Sequence, residues 1–273
     1  MATPSIHSLG CVSFLNSKPL IEPLLTNPAV RVHFAVPSHL LDLVESAAVS
    51  TALMSVVDFQ TSHTPLVLLP AGMIGCDGPT LTVRLYSRVP PAHIRTLHGD
   101  TDSHTSVILA QLILRERFGI APPLLPLSAA QTAADTPESM LLIGDKVVNA
   151  SPDPAAYPHQ LDLGEQWKLL TGLPFVFAMW MIRADRAAAE GASIGRLLAD
   201  ARRAGAAMTG ELLDRHAVEK GWPRDLARRY FTEYLRYEVT PAARQGLARF
   251  FELADMHALL PARRPVQYLE IPE

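Results

Sequence analysis

Gly10-Cys11-Val12-Ser13-Phe14-Leu15-Asn16-Ser17-Lys18-Pro19-Leu20 is the stretch around which the chain is organised. Residues 6–14 read as a short buried strand, with Leu9, Val12 and Phe14 apolar and β-prone. The pattern then changes. Asn16 and Ser17 are good helix N-caps, and Pro19 suits a first helical turn, where a missing N–H costs nothing. Residues 13–17 are therefore expected as a strand-to-helix turn at the carboxyl end of a first strand. In open α/β sheets ligands bind at that end, and free N–H groups at a helix start attract anions. An ordinary capped turn has the same spelling.

Outward from this turn, strand-like and helix-like segments alternate. Residues 29–36 and 48–57 read as strands, and Ser38 and Asp58 open helical turns. This alternation predicts βαβ units around a mostly parallel sheet. Residues 71–79 read as a loop carrying Gly72, Gly75 and Gly78. Such glycines serve tight turns, or let backbone approach a ligand closely, which makes Gly78 a candidate contact. Residues 80–87 form the next strand, with Thr80, Thr82 and Arg84 on one face. Capping residues crowd 100–106, an apolar run follows, and Arg115, Arg117 and Gly119 mark a helix end. Ser103, Thr105 and Ser106 thus stand at a helix N-terminus, either as simple caps or as a carboxylate or phosphate site. Asp145 follows an expected strand over 140–143, as a ligand-facing carboxylate or as another N-cap. Residues 173–182 are a long apolar strand, and 184–256 are helical by composition. The strands at 80–87 and 173–182 are both placed to cross between two lobes. One lobe is expected to hold residues 1–86 and 177–273, and the other residues 87–176.

The 273 residues are 48% hydrophobic and 19% charged, ample for a globular core. A net charge of -3 gives no basic footprint for nucleic acid. No apolar run approaches the roughly 18 residues of a membrane span. The amino terminus shows neither a basic region nor an apolar core of a secretory leader, so a cytoplasmic location is expected. Two cysteines, Cys11 and Cys76, are too few for a disulfide framework and read as buried thiols. Ten histidines are scattered without a ligand pair, and no P-loop, dinucleotide fingerprint or nucleophile elbow is present, so no metal or cofactor is expected. What remains is hydroxyls, one Asn, one Asp, glycine turns and helix N-termini. That inventory suits a cleft for a small anion, and serves a binding module and a cofactor-free lyase equally.

Residues 10–20 resemble the amino-terminal signature of the chorismate dehydratase family, Gly-x-Val-Ser-Tyr/Phe-Leu-Asn-Ser/Thr-x-Pro-Leu. Further matches follow in order at Gly78-Pro79, Asp102-Ser103-His104-Thr105-Ser106, Leu142-Ile143-Gly144-Asp145, Asp162-Leu163-Gly164-Glu165-Gln166-Trp167 and Thr171-Gly172-Leu173-Pro174-Phe175-Val176-Phe177-Ala178. They span residues 10–180, and beyond Arg183 the likeness is only in outline.

The resemblance implies a type 2 periplasmic-binding-protein-like fold, in which two α/β lobes joined by two crossover strands enclose a cleft. It also implies loss of water from chorismate to give 3-[(1-carboxyvinyl)oxy]benzoate, without a cofactor, in the futalosine route to menaquinone. The family usually carries serine at the position of Thr82, where this chain keeps the hydroxyl and adds a methyl. It commonly has arginine where His104 stands, so either that arginine never touched the ligand or this chain binds its substrate more weakly. On this reading Ser103, Thr105 and Ser106 would hold one carboxylate, and Ser13, Ser55 and Thr82 the other. Asn16, which has no basic lone pair, orients or donates. The base is either Asp145, with its pKa raised by desolvation, or the substrate's own enolpyruvyl carboxylate positioned by Asn16. The competing class is a solute-binding protein without catalysis.

Overall fold

The computed structural model describes residues 6–100, 103–127, 136–261 and 264–271. Asp102, quoted above, lies outside them. Eleven strands among the described residues form two sheets. The first contains β1 (His7–Cys11), β2 (Val30–Phe34), β3 (Thr51–Ser55), β4 (Leu66–Cys76), β10 (Phe175–Arg183) and β11 (Leu235–Arg236), in the order β11-β4-β10-β3-β1-β2. The second contains β5 (Val83–Ser87), β6 (Leu97–Gly99), β7 (Leu124–Pro126), β8 (Ser139–Ile143) and β9 (His159–Asp162), in the order β7-β6-β8-β5-β9. The helices are α1 (Lys18–Ile21), α2 (Pro37–Glu45), α3 (Asp58–Thr61), α4 (His104–Phe118), α5 (Lys146–Asn149), α6 (Leu163–Thr171), α7 (Ala184–Ala207), α8 (Thr209–His216), α9 (Arg224–Arg229) and α10 (Pro241–Met256). None is long and apolar enough to cross a membrane among the described residues.

In the first sheet β1 pairs in parallel with β2 and β3, as the βαβ reading requires. The antiparallel strand β10 then enters between β3 and β4. Its residues Met179 to Ile182 are fully buried, because helices cover both faces of a central strand. β4 runs unbroken through Gly72 and Gly75, which the sequence places in a loop. Gly75 is needed there because a Cβ would stand 2.5 Å from the Phe175 carbonyl oxygen on β10.

The chain leaves the first sheet after Cys76 and joins the second at Val83, and returns through α6 and residues 172–174. β5 therefore pairs in the second sheet, with β8 along its whole length and with β9 from Arg84 onward, although the expected division places residues up to 86 with the first. One side chain ties the two passages together. The carboxylate of Asp162 accepts the N–H groups of Thr80 (2.9 Å) and Leu81 (2.7 Å) on the outgoing passage. It also accepts those of Gly164 (3.0 Å) and Glu165 (3.1 Å) at the start of α6, which it caps. Gly164 packs so closely that a Cβ would lie 2.5 Å from the Gly78 carbonyl oxygen and 2.6 Å from Cys76 Sγ. Both cysteines are buried and unpaired; burial pushes the Cys11 thiol up to about 12.

Candidate functional site

The carboxyl ends of β1, β3 and β8, the residues before β5 and the middle of β10 converge on one cavity of about 640 Å³, part of it open to solvent. The wall is mainly apolar, with Phe14, Leu53, Ile74, Ile143 and Phe177 prominent. Its polar side chains are those of Asn16, Ser55, Thr80, Thr82, Ser103, Ser106 and Tyr230. None of the lining side chains is charged.

Five of the nine expected site residues therefore meet in this wall: Asn16, Ser55, Thr82, Ser103 and Ser106. Ser103 is the N-cap of α4, accepting the Ser106 N–H at 3.2 Å and donating its own hydroxyl hydrogen to Ser106 Oγ at 2.9 Å. Four residues stand outside the wall. Ser13 is exposed, between Val12 and Phe14, which do line the cavity. Alternate side chains of extended backbone face opposite ways. Gly78 is buried in the outgoing passage at φ 122°, a conformation that favours glycine, and serves the turn. Thr105 is fully buried, and its Oγ1 accepts the Val57 N–H at 3.4 Å, joining α4 to the turn after β3.

Asp145 is the fourth. Its Oδ1 accepts the indole N–H of Trp222 at 2.9 Å, while Gly144 beside it takes the place in the wall. Burial pushes the Asp145 carboxyl above its ordinary value, against the opposing pull of the Trp222 hydrogen bond, the Lys220 charge and the Leu15 N–H. A desolvated carboxyl is the expected signature of a base, but this one is engaged by a structural donor. His104 is also outside the wall. It turns toward the buried Asp58, so the side chain at this position bonds a protein carboxylate.

Asn16 does not cap a helix. A 3₁₀ turn over Leu15–Ser17 starts without a side-chain cap, and Ser17 Oγ instead donates back to the carbonyls of Val12 (2.8 Å) and Phe14 (2.9 Å). The Tyr237 hydroxyl donates to the Asn16 carbonyl at 3.0 Å and fixes its backbone. The Asn16 side chain is left free to enter the cavity. There its amide neighbours the Tyr230 hydroxyl, and its Oδ1 is buried without a hydrogen-bond partner.

Tyr230 and Trp222 are the residues that sequence reasoning misses. Tyr230 opens a π-helical turn over Tyr230–Tyr234, a backbone irregularity frequent at functional sites. Its ring stacks on Trp222 with centroids 4.9 Å apart and planes at 22°. Its hydroxyl lies 2.7 Å from Thr82 Oγ1. Burial drives the phenol pKa well above its ordinary value, against the opposing pull of Thr82 and Asn16, so Tyr230 stays neutral. No spacing in the sequence separates this tyrosine from the core aromatics Phe231 and Phe250. Among the described residues no group of three or more His, Cys, Asp or Glu side chains is placed to hold a metal ion.

The profile of a family described as menaquinone biosynthesis matches residues 7–256. The chorismate dehydratase of Thermus thermophilus is 29% identical over 260 residues, covering 90% of this chain and 94% of that protein. Among solved structures, a protein of Archaeoglobus fulgidus superposes with a TM-score of 0.71 at 14% identity, over 93% of this chain and 98% of its own. An alkanesulfonate-binding protein of Xanthomonas axonopodis pv. citri, bound to MOPS, superposes with a TM-score of 0.70 at 15% identity, over 96% of each chain. The fold is thus that of the periplasmic binding proteins, with two α/β lobes and the cavity between them.

Proposed function

The chain belongs to the menaquinone-biosynthesis family, and on that premise we propose that it is a chorismate dehydratase, a hydro-lyase that forms 3-[(1-carboxyvinyl)oxy]benzoate and water without a cofactor. What carries the reading is a near full-length likeness to a protein of that activity, joined to a cavity lined by hydroxyls, an amide and apolar side chains.

The chemistry follows from the substrate and the wall. The ring carboxylate of chorismate conjugates with the diene, so the hydrogen on the ether-bearing carbon is vinylogously acidic. Removing it leaves an enediolate-like carboxylate, and loss of the neighbouring hydroxyl then makes the ring aromatic. The wall offers no carboxylate, imidazole or amine to take the proton, and Tyr230 is held neutral. The substrate's own enolpyruvyl carboxylate is the remaining base. The proton it takes leaves with the departing oxygen as water, so atoms and charge balance. Ser103 and Ser106 at the start of α4 hold one carboxylate with the help of the helix dipole. Donors fixed before the reaction stabilise charge as it develops, at no cost of reorganisation when the bond breaks.

The test is incubation of the purified protein with chorismate and mass analysis of the product. Appearance of a benzoate lighter by one water supports the proposal, and binding without conversion would assign the chain to a solute-binding role.

A further inference from the structure

We propose that Tyr230, with Thr82 and Asn16, forms a subsite for an alcohol, and that in the dehydratase reading, on which this rests, the alcohol is the hydroxyl that leaves chorismate. The argument is a count of hydrogens. Thr82 and Tyr230 each carry one hydroxyl hydrogen, and their oxygens are 2.7 Å apart, so one hydrogen bond joins them. Two hydroxyls sharing one bond always leave one O–H over. Both side chains are almost completely buried and both line the cavity, so that O–H has the cavity before it. Asn16 Oδ1, an acceptor in the same wall, is buried without a partner, so the leftover hydrogen is not spent on it.

The cluster therefore offers one unused donor and one unused acceptor side by side. A carboxylate has no hydrogen for Asn16 Oδ1, and an ammonium has no lone pair for the hydroxyl. An alcohol has both on one atom: it donates to Asn16 Oδ1 and accepts from the Thr82–Tyr230 pair. Leaving a buried polar group unpaired is costly, so such a subsite discriminates strongly against a ligand that lacks the hydroxyl. The same O–H stands where negative charge gathers as the carbon–oxygen bond breaks, and supports departure by hydrogen bonding, without giving up its proton.

The position is held from the second sheet. Asp145 bonds Trp222, Trp222 stacks on Tyr230, and the phenol is thereby aimed at Thr82. Asp145 and Trp222 are positioning residues in this arrangement.

Tyr230→Phe keeps the ring, the stack and the volume and removes only the hydroxyl. Thr82→Val does the same for its partner. Turnover of chorismate, competitive inhibition by the benzoate product, which has lost the alcohol, and a thermal melt are measured for both variants and the double variant. Each single variant keeps one O–H but loses the partner that aims it, and is expected to lower kcat/KM about 10-fold. The product inhibition constant should stay within about 2-fold, since that ligand never used the subsite. The double variant leaves no O–H at all and should lower kcat/KM about 10²-fold or more, clearly worse than either single one. Equal weakening of substrate and product, or unchanged turnover in the double variant, would overturn the subsite. If the wild-type protein binds chorismate but does not convert it, the dehydratase reading fails on its own. Calorimetric binding then decides the subsite by the same criterion, chorismate weakened in the double variant and product not. A wild-type protein that binds neither overturns both.

Discussion

Nδ1 of His104 lies 2.6 Å from Oδ1 of Asp58, joining the first residue of α4, beside the second sheet, to the fully buried carboxyl that follows β3 of the first. The contact runs parallel to the Thr105–Val57 hydrogen bond one residue away. Together they clamp the N-terminus of α4 onto the opposite lobe beside the cavity.

This clamp is pH-sensitive. Burial pushes the Asp58 carboxyl up, with His104 opposing and Glu45 adding to the rise; the Asp58 hydrogen bond raises His104 against the cost of burial, and Asp42 raises it further. Both groups bind protons more tightly in the folded chain, so stability falls as pH rises. The His104 contribution is complete below about 6.5, the value of the unfolded residue, and is lost as pH climbs through the raised folded value. Melting temperatures across the neutral range should decline in the wild type and flatten in His104→Asn. His104→Arg, which restores the residue common in the family, should also flatten, since a guanidinium stays charged throughout.

Asp145 separates two roles. If it anchors Trp222, Asp145→Asn keeps an acceptor for the indole N–H and should hold kcat within a few-fold, about 3. Asp145→Ala should lose about 1–3 kcal/mol of stability by stranding that donor. Chemical denaturation and chorismate turnover measured together decide it. A loss of several orders of magnitude in Asp145→Asn, with an unchanged melt, would return the residue to the part of base.

Asn16 is expected to act on the reaction more than on affinity. Asn16→Ala should lower kcat by about 10²- to 10³-fold with a much smaller change in KM. Asn16→Asp should fail as a dehydratase, because a carboxylate beside a dianionic substrate repels it at close range. Steady-state kinetics of both variants check this, and an active Asn16→Asp would show that the amide is dispensable.

Gly164→Ala should destabilise the fold by about 1–3 kcal/mol, the usual cost of forcing a methyl into a filled space. The added carbon meets a backbone carbonyl, which cannot swing aside, as well as a buried sulfur. Urea unfolding of the variant reads the loss directly.

The elements whose signals are local are legible in the sequence. Ser103 caps α4 and Gly119 ends it in the left-handed conformation at φ 68°, as the capping pattern implies. The parallel pairing of β1 with its neighbours follows from the strand–helix alternation. The role of Ser17 is not, because a serine after a strand spells an N-cap whether its hydroxyl reaches forward to an N–H or, as here, back to two carbonyls. Gly72 and Gly75 spell a turn, whereas close contact with β10 explains Gly75 within a strand. Tyr230 is illegible for a different reason. Its partner Thr82 is 148 positions away, and nothing local marks which buried tyrosine keeps its hydroxyl over a cavity. Asp145 has the right environment for a base, but only the position of the Trp222 indole shows how its carboxylate is engaged.

The place of β10 between β3 and β4 has a consequence for how the protein is made. The ribosome delivers β3 and β4 early, then the whole of the second sheet, and only afterwards the strand that separates them. Until residue 183 has emerged, β3 and β4 both present bare edges, and β3 is buried at every position in the finished molecule. Exposed apolar edges are templates for pairing with other chains. The nascent protein is thus most prone to aggregate during the synthesis of residues 77–183, and truncations ending in that interval are expected to be insoluble rather than partly folded.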